Sequence, residues 1–220
     1  MKSITPAFAE ILGLLCAEGS YILSFPSYWG KDRQKLRYYK DHKSERIELY
    51  NKDKKLLSHY QELLKIEFNY EPKITKHGKV NICKILIIKF ILGHVRLGHQ
   101  NWYVPQSILK GNDKLKISFL RGYFDGDGTS STTIRFFSTN ERGLKEVSEL
   151  LSSLDFKHTF PKPQIKSGRK PLYSIQLSRS ERERFLTLIK PVSKYPGMRG
   201  LPNKSFFSDL RAKLGQMCRT

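Results

Sequence analysis

Ile11-Leu-Gly-Leu-Leu-Cys-Ala-Glu-Gly19 and Leu120-Arg-Gly-Tyr-Phe-Asp-Gly-Asp-Gly128 decide how this chain is read. Each stretch is apolar, carries two small residues four apart (Gly13 and Ala17; Gly122 and Gly126), and ends in an acid followed by glycine. Thr5 as N-cap with Pro6 at the first helical position predicts a helix that stops at Gly19. Small residues at i and i+4 share one helix face, so the two helices can approach backbone to backbone. Close packing explains the glycines but leaves the acids unexplained. Glu18 and Asp127 sit in the last turn, where the helix dipole is negative and an acid is unfavourable by a few tenths to ~1 kcal/mol. A Lys or Arg salt bridge could compensate one such acid. Two copies in matching context favour a shared cation instead. Both carboxylates and the helix-end carbonyls at Ala17 and Gly126 would then offer hard oxygen ligands suited to Mg²⁺.

Working outward, the same order of elements follows each motif, which makes the chain a degenerate tandem repeat. Ser20 to Tyr28 and Arg46 to Tyr50 alternate as strands in the first copy, and Thr133 to Phe137 does so in the second. Helices over Lys54 to Ile66 and Glu141 to Leu154 come next. Further strand pairs are expected at Lys73 to His77 with Val80 to Ile85, and at Phe160 to Ile165 with Leu172 to Leu177, turning at Gly78 and Gly168. Helices over Leu86 to Leu92 and Ser180 to Ile189 close the copies. The predicted fold is therefore α+β, a repeat of helix-strand-strand-helix-strand-strand-helix halves. The halves cover 4–100 and 113–200, with a linker at 101–112 and a last amphipathic helix within 201–220.

The copies are unequal. From the motif glycine to the next helix cap the first spends 34 residues (Gly19 to Asp53) and the second 12 (Gly128 to Asn140). The longer hairpin, with its tip at Trp29 to Lys43, carries Lys31, Arg33, Lys35, Arg37, Lys40 and Lys43.

Charge narrows the partner. Forty Lys and Arg against 20 Asp and Glu give a net charge of +20, spread along the chain and interleaved with 12% aromatic residues. That pattern suits a folded surface that neutralises phosphates better than a disordered basic arm. Cys16, Cys83 and Cys218 are too scattered for a CxxC metal site, and their odd number argues against a disulfide framework. The most apolar run, Ile85 to Leu92, is interrupted by Lys89 and falls short of the ~20 residues a membrane span needs. No signal peptide is evident, so a soluble protein of a reducing intracellular compartment is expected. An EF-hand reading of Asp125-Gly-Asp127-Gly fails, because its sixth position is Ser130 and its twelfth Phe136.

ILGLLCAEG and LRGYFDGDG, each followed by strands, a helix, strands and a helix, resemble the two motifs of a single-chain LAGLIDADG homing endonuclease over nearly the whole chain. The resemblance implies two antiparallel saddle sheets on duplex DNA related by a pseudo-twofold axis, with the motif helices paired between them. It implies a monomer needing no protein partner, Mg²⁺ with Mn²⁺ as a substitute, and a staggered double-strand break in a long asymmetric target. Glu18 matches the first motif's acid and Asp127 the second's. Cys16 departs from the acid often found two residues earlier, which Asp125 keeps. The family's water-ordering position falls on Asn51 and Ser138, and its basic residue on Lys194 and Arg96, with His99 as a substitute for the last. The alternative on the same fold is an RNA-splicing maturase or a non-cleaving DNA-binding regulator.

Base reading belongs to the exposed strand faces, where a two-stranded ribbon can enter the major groove. If Leu23, Phe25, Ile47, Leu49, Ile134 and Phe136 face the cores, the opposite face presents Ser24, Tyr28, Arg46, Glu48 and Tyr50, then Ser131, Thr133, Arg135 and Phe137. Lys73, Thr75, His77, Lys166 and Arg169 extend it, and Arg33, Lys35 and Arg37 lie on the long hairpin.

Overall fold

A helix that must be buried on every side opens the first half. α1 (Pro6–Glu18) is capped by the Thr5 Oγ1, which accepts from the Phe8 N–H at 3.0 Å, and every residue from Phe8 to Cys16 is buried. The computed structural model describes residues 4–32, 35–160, 163–165 and 167–193. From α1 the chain passes directly into β1 (Gly19–Ser24), then β2 (Tyr28–Asp32), β3 (Lys35–Tyr39) and β4 (Ser44–Tyr50). α2 (Lys54–Phe68), β5 (Lys79–Ile82) and α3 (Ile85–Leu92) complete the half. β1, β4 and β5 form an antiparallel sheet in that order, while among the described residues β2 and β3 pair only with each other.

The connection to the second half holds a short helix, α4 (Gln106–Leu109). α5 (Asp113–Asp127) then starts at Asn112, whose side chain accepts from the Leu115 N–H. β6 (Gly128–Thr129), β7 (Arg135–Ser138), α6 (Glu141–Ser153), β8 (His158–Thr159), β9 (Tyr173–Leu177) and α7 (Arg182–Ile189) follow. Their sheet runs β6-β7-β9-β8, antiparallel throughout. The α+β class with antiparallel sheets expected from the repeat is what the chain adopts.

α1 and α5 meet along their small-residue faces. A Cβ at Gly13 would lie 2.2 Å from the Phe119 carbonyl oxygen and 2.8 Å from the Tyr123 nitrogen; one at Gly122 would lie 2.2 Å from the Glu10 oxygen and 2.9 Å from the Leu14 nitrogen. The partners correspond at one constant sequence offset, so each helix does to the other what is done to it. Such reciprocity is the mark of a twofold contact. Beside it, the buried Glu10 joins the halves: His59 Nε2 lies 2.6 Å from one carboxylate oxygen, and Arg121 Nη1 donates to the other at 3.0 Å.

Several expectations are corrected. The strand expected from Ser20 to Tyr28 breaks over 25–27, where Pro26 intervenes, and the long hairpin's tip becomes the separate β2–β3 ribbon. Leu23 lies on the Ile47 face, but it and Phe25 are exposed. β5 pairs only as far as Ile82 with Ile47, so beyond that point the sheet is a ribbon with too little beneath it to cover Leu23. Among the described residues, Lys73 to His77 and Phe160 to Ile165 contribute single bridges, Ile74 to Val80 and Gln164 to Leu172, rather than strands. Pro72 and Pro163 withhold donors that a ladder needs. Ile85 begins a helix instead of ending a strand. The 101–112 linker is partly core, with Trp102, Val104 and Ile108 buried. The expected helix within 201–220 lies outside the described residues, of which no helix is long and apolar enough to cross a membrane.

Candidate active site and nucleic-acid face

The helix-to-strand junctions place the two acids. Each motif helix ends on its acid, and the next residue, Gly19 or Gly128, is already extended and in a strand. The ends of the helices touch: a Cβ at Gly126 would lie 2.3 Å from the Ala17 Cβ and 3.1 Å from the Glu18 Cγ. Glu18 and Asp127 thus open into one cleft of about 430 Å³, which Ala17, Gly19, Ser20, Tyr50, Gly98, His99, Trp102, Phe137, Ser138 and Thr139 also line.

The polar residues expected beside the acids occupy matching positions. Asn51 Nδ2 donates to Glu18 Oε1 at 3.4 Å while its Oδ1 accepts from the Asp53 N–H at 2.9 Å. Ser138 lines the cleft and its Oγ accepts from the Asn140 N–H at 3.0 Å. Asp53 and Asn140 in turn are the N-caps of α2 and α6. Each polar side chain is therefore fixed by the turn that launches the next helix. Arg96 is exposed and does not line the cleft, whereas His99 does. Lys194 lies outside the described residues, as do Arg33 and Lys166 of the expected contact face.

The inner positions of the motifs differ between halves. Asp125 is buried, and its oxygens accept from the Val192 and Ser193 N–H groups at 2.8 and 2.9 Å and from the Ser193 hydroxyl. Burial holds its carboxyl above the usual carboxylate range, and these three donors offset that only in part. Cys16, at the corresponding place, is a buried thiol 3.9 Å from the Tyr103 carbonyl, raised by burial and by the Glu146 charge. Asp125 thus ties the segment after α7 to the motif helix through three hydrogen bonds, and Cys16 offers one weak one. Between the motif and the sheet, burial pushes the Tyr123 phenol up, and the nearby Asp127 charge adds to it; the hydroxyl donates to the Phe137 carbonyl at 3.2 Å.

Strand register defines the open faces. Ser20, Ile22, Ser24, Arg46, Glu48 and Asn81 share one side of the first sheet, opposite Ile47, Leu49, Val80 and Ile82. Thr129, Arg135, Phe137, Ser174 and Gln176 share the corresponding side of the second. Ser24, Arg46, Glu48, Tyr50, Arg135 and Phe137 were expected there. Ile22, Asn81, Ser174 and Gln176 were missed, and pairing with strands of known face is the signal that finds them. Glu48 is not an open acid: Lys79 Nζ lies 2.8 Å from one oxygen and Arg46 Nε 3.8 Å from the other. Lys73, His77, Ser131 and Arg169 are exposed, and Thr75 Oγ1 is taken up by the Lys79 N–H. Thr133 is buried, because it precedes β7 in an irregular segment where alternation does not apply. On the separate ribbon Lys35 and Arg37 are exposed, as is Tyr28.

The model of the LAGLIDADG-like domain family matches residues 114–190. A structure of mesophilic variants of the homing endonuclease I-DmoI superimposes with a TM-score of 0.59 at 18% identity, covering 84% of this chain and 94% of that one. Residues 114–190 are similar to the LAGLIDADG-like domain family, and the chain has the fold of the homing endonuclease I-DmoI. I-DmoI in complex with DNA and Mn gives a TM-score of 0.58 at 18% identity, over 84% of this chain and 96% of that one. Its complex with DNA and Ca gives 0.59 at 16% identity, over 96% and 100%. A DNA polymerase of Methanocaldococcus jannaschii is 26% identical over 196 residues, which are 84% of this chain and 11% of the polymerase. This chain therefore spans only a small part of that relative's length. Within the LAGLIDADG fold, Glu18 and Asp127 occupy the ends of the paired motif helices, and the open strand faces flank them.

Proposed function

We propose that this chain is a site-specific DNA endonuclease that makes a metal-dependent, staggered double-strand break in a long asymmetric duplex, acting as a monomer. One observation carries the reading: two carboxylates from reciprocally packed helices open into one cleft between two open, polar strand faces. The chain divides into LAGLIDADG halves at 4–100 and 113–200.

Among the described residues no three His, Cys, Asp or Glu side chains gather as a closed metal cage. Two carboxylates and the Ala17 and Gly126 carbonyls nevertheless suit Mg²⁺, which keeps several waters and takes one or two carboxylates together with substrate phosphates. Glu18 and Asp127 would hold such an ion, or Mn²⁺ in its place, which would supply a lowered pKa for bound water and charge neutralisation at the scissile phosphate and the leaving oxygen. Asn51, its amide already directed at Glu18, and Ser138 orient water on the two sides of the cleft. His99, on the cleft wall, is the basic-site candidate in the first half in place of Arg96, and Lys194 is that of the second. The open strand faces and the β2–β3 ribbon, including Lys35 and Arg37, read and grip the duplex.

A randomised duplex library incubated with the protein and Mg²⁺, followed by sequencing of the ends, tests the reading. A recurrent staggered break is expected, and Asp127→Asn should abolish it while leaving duplex binding intact. No recurrent break from the wild type, or wild-type cutting by Asp127→Asn, contradicts it.

A further inference from the structure

Beside the carboxylate cleft lies a second cavity of about 310 Å³, lined by Thr139, Gln164, Arg169, Lys170 and Leu172. Thr139 and Leu172 line the cleft as well, so the two spaces share a wall. The cavity is built by the sheet end and by the other half. Ser138 pairs with Tyr173 in register, which sets Thr139 and Leu172 side by side where β7 and β9 leave the sheet. Gln164 is locked to Leu172 by two backbone hydrogen bonds of 2.9 and 3.0 Å. Gly168, with φ +72°, then turns the chain so that Arg169 and Lys170 come back towards it. From the first half, the Gln100 Oε1 accepts from Lys170 Nζ at 3.1 Å and the His99 carbonyl accepts from Thr139 Oγ1 at 3.4 Å.

The chemistry of this wall is one-sided. Among the described residues neither Arg169 nor Lys170 forms a salt bridge, and the one recorded hydrogen-bond partner of Lys170 is a neutral amide. The first sheet treats its cations differently, since Glu48 lies 2.8 Å from Lys79 Nζ and 3.8 Å from Arg46 Nε. Two cations and an amide around a recess with no acid suit an anion with oxygen acceptors. The shared wall places that anion next to the proposed scissile phosphate.

We propose that this cavity is a phosphate subsite, in which Arg169 and Lys170 hold a backbone phosphate of the DNA strand running from the cleft over the second half. The proposal rests on the endonuclease reading. It makes Arg169 and Lys170 positioning residues for one strand: they fix the scissile phosphate by anchoring its neighbour, and the chemistry belongs to other groups. On the first sheet the two cations Lys79 and Arg46 lie beside Glu48 instead, so the two strands depend on the recess unequally.

The test compares wild type, the double variant Arg169→Ala/Lys170→Ala, and Lys114→Ala, which removes an exposed charge at the far end of α5. Affinity for the uncleaved target is measured without divalent metal across salt concentrations, and the nicking rate of each strand is followed separately with Mg²⁺. Loss of one phosphate contact should lower the slope of log K against log salt by about 0.9. The double variant should slow one strand on the order of tenfold, leaving the other within about twofold, so that singly nicked duplex accumulates. Lys114→Ala should leave the ratio of strand rates at the wild-type value. Equal slowing of both strands, or a salt slope unchanged from wild type, overturns the subsite while the endonuclease reading stands. A wild type that neither binds nor cuts any duplex overturns both, and is seen before the variants are compared.

Discussion

Replacing Gly122 or Gly13 by alanine puts the helix-pairing argument at its sharpest. A Cβ at either position would sit 2.2 Å from a backbone carbonyl oxygen of the facing helix, whereas ordinary contact begins at 3.4 Å. The helices must therefore separate by about 1.2 Å, the difference of those two distances, because a backbone oxygen has no rotamer in which to retreat. Alanine is the better helix former by ~1 kcal/mol, which works against the clash. Overpacking of a close interface costs typically ~1–3 kcal/mol, occasionally more. Here the obstacle is backbone on both sides, so the upper end applies and a net loss of ~2 kcal/mol is expected for each single variant. Reciprocity adds a sharper expectation. Both substitutions demand the same separation, so the second costs less once the first is made, and the double variant should fall short of the sum by ~1 kcal/mol or more. Urea denaturation of wild type, both singles and the double, followed by far-ultraviolet circular dichroism, gives the four stabilities. Singles within ~0.5 kcal/mol of wild type, or a strictly additive double, would refute the reciprocal contact.

Further perturbations probe other parts of the site. Glu10→Ala strips the acid from between His59 and Arg121 and leaves Arg121 partly buried without its carboxylate; a loss of ~3 kcal/mol in urea is expected. Tyr60 is fully buried with a hydroxyl that has no hydrogen-bond partner among the described residues, so Tyr60→Phe should be neutral or stabilising by up to ~1 kcal/mol. Burial also holds the Tyr60 phenol well above its ordinary value. Its contribution is thus present below the unfolded pKa and falls as pH rises above ~10, where only the unfolded chain ionises. Denaturation as a function of pH should accordingly show a shallower alkaline decline in Tyr60→Phe, and an identical decline would count against this account. Asn51→Ala removes the donor to Glu18 and the acceptor for the Asp53 N–H, and should cost ~1 kcal/mol of stability while slowing one strand's cleavage more than the other's. Equal effects on both strands in a strand-resolved nicking assay would remove Asn51 from its proposed place.

The paired motifs were legible because their signals are local. Thr5, Pro6 and the terminal glycines punctuate the helix, and two small residues four apart announce close packing before any partner is known. The buried faces of β4 and β7 were legible for the same reason, since Ile47, Leu49, Ile134 and Phe136 follow a strict period of two. Leu23 and Phe25 show where that reasoning stops. Alternation assigns a side chain to a face, but whether anything covers that face depends on how far the neighbouring strand and helices extend. Trp102, Val104 and Ile108 fail in the opposite sense: without a period they read as linker, yet the junction between the halves buries them. Arg96 and His99 differ by three residues on a loop, and only the path of that loop sets His99 on the cleft wall and Arg96 outside it.

By itself the sequence determined that the chain is written twice, that each copy ends a close-packing helix on an acid, and that its surface is strongly cationic. Those properties follow from residue type and short-range spacing. Tertiary structure alone decided that Glu18 and Asp127 share a cleft, that Asn51 is directed at Glu18, and that Glu48 sits against Lys79 and Arg46 of one sheet while Arg169 and Lys170 lie beside a recess of the other. The reason is physical. A charge or a polar group acquires its partner from whatever the fold brings within a few ångströms, and most of those neighbours are distant along the chain.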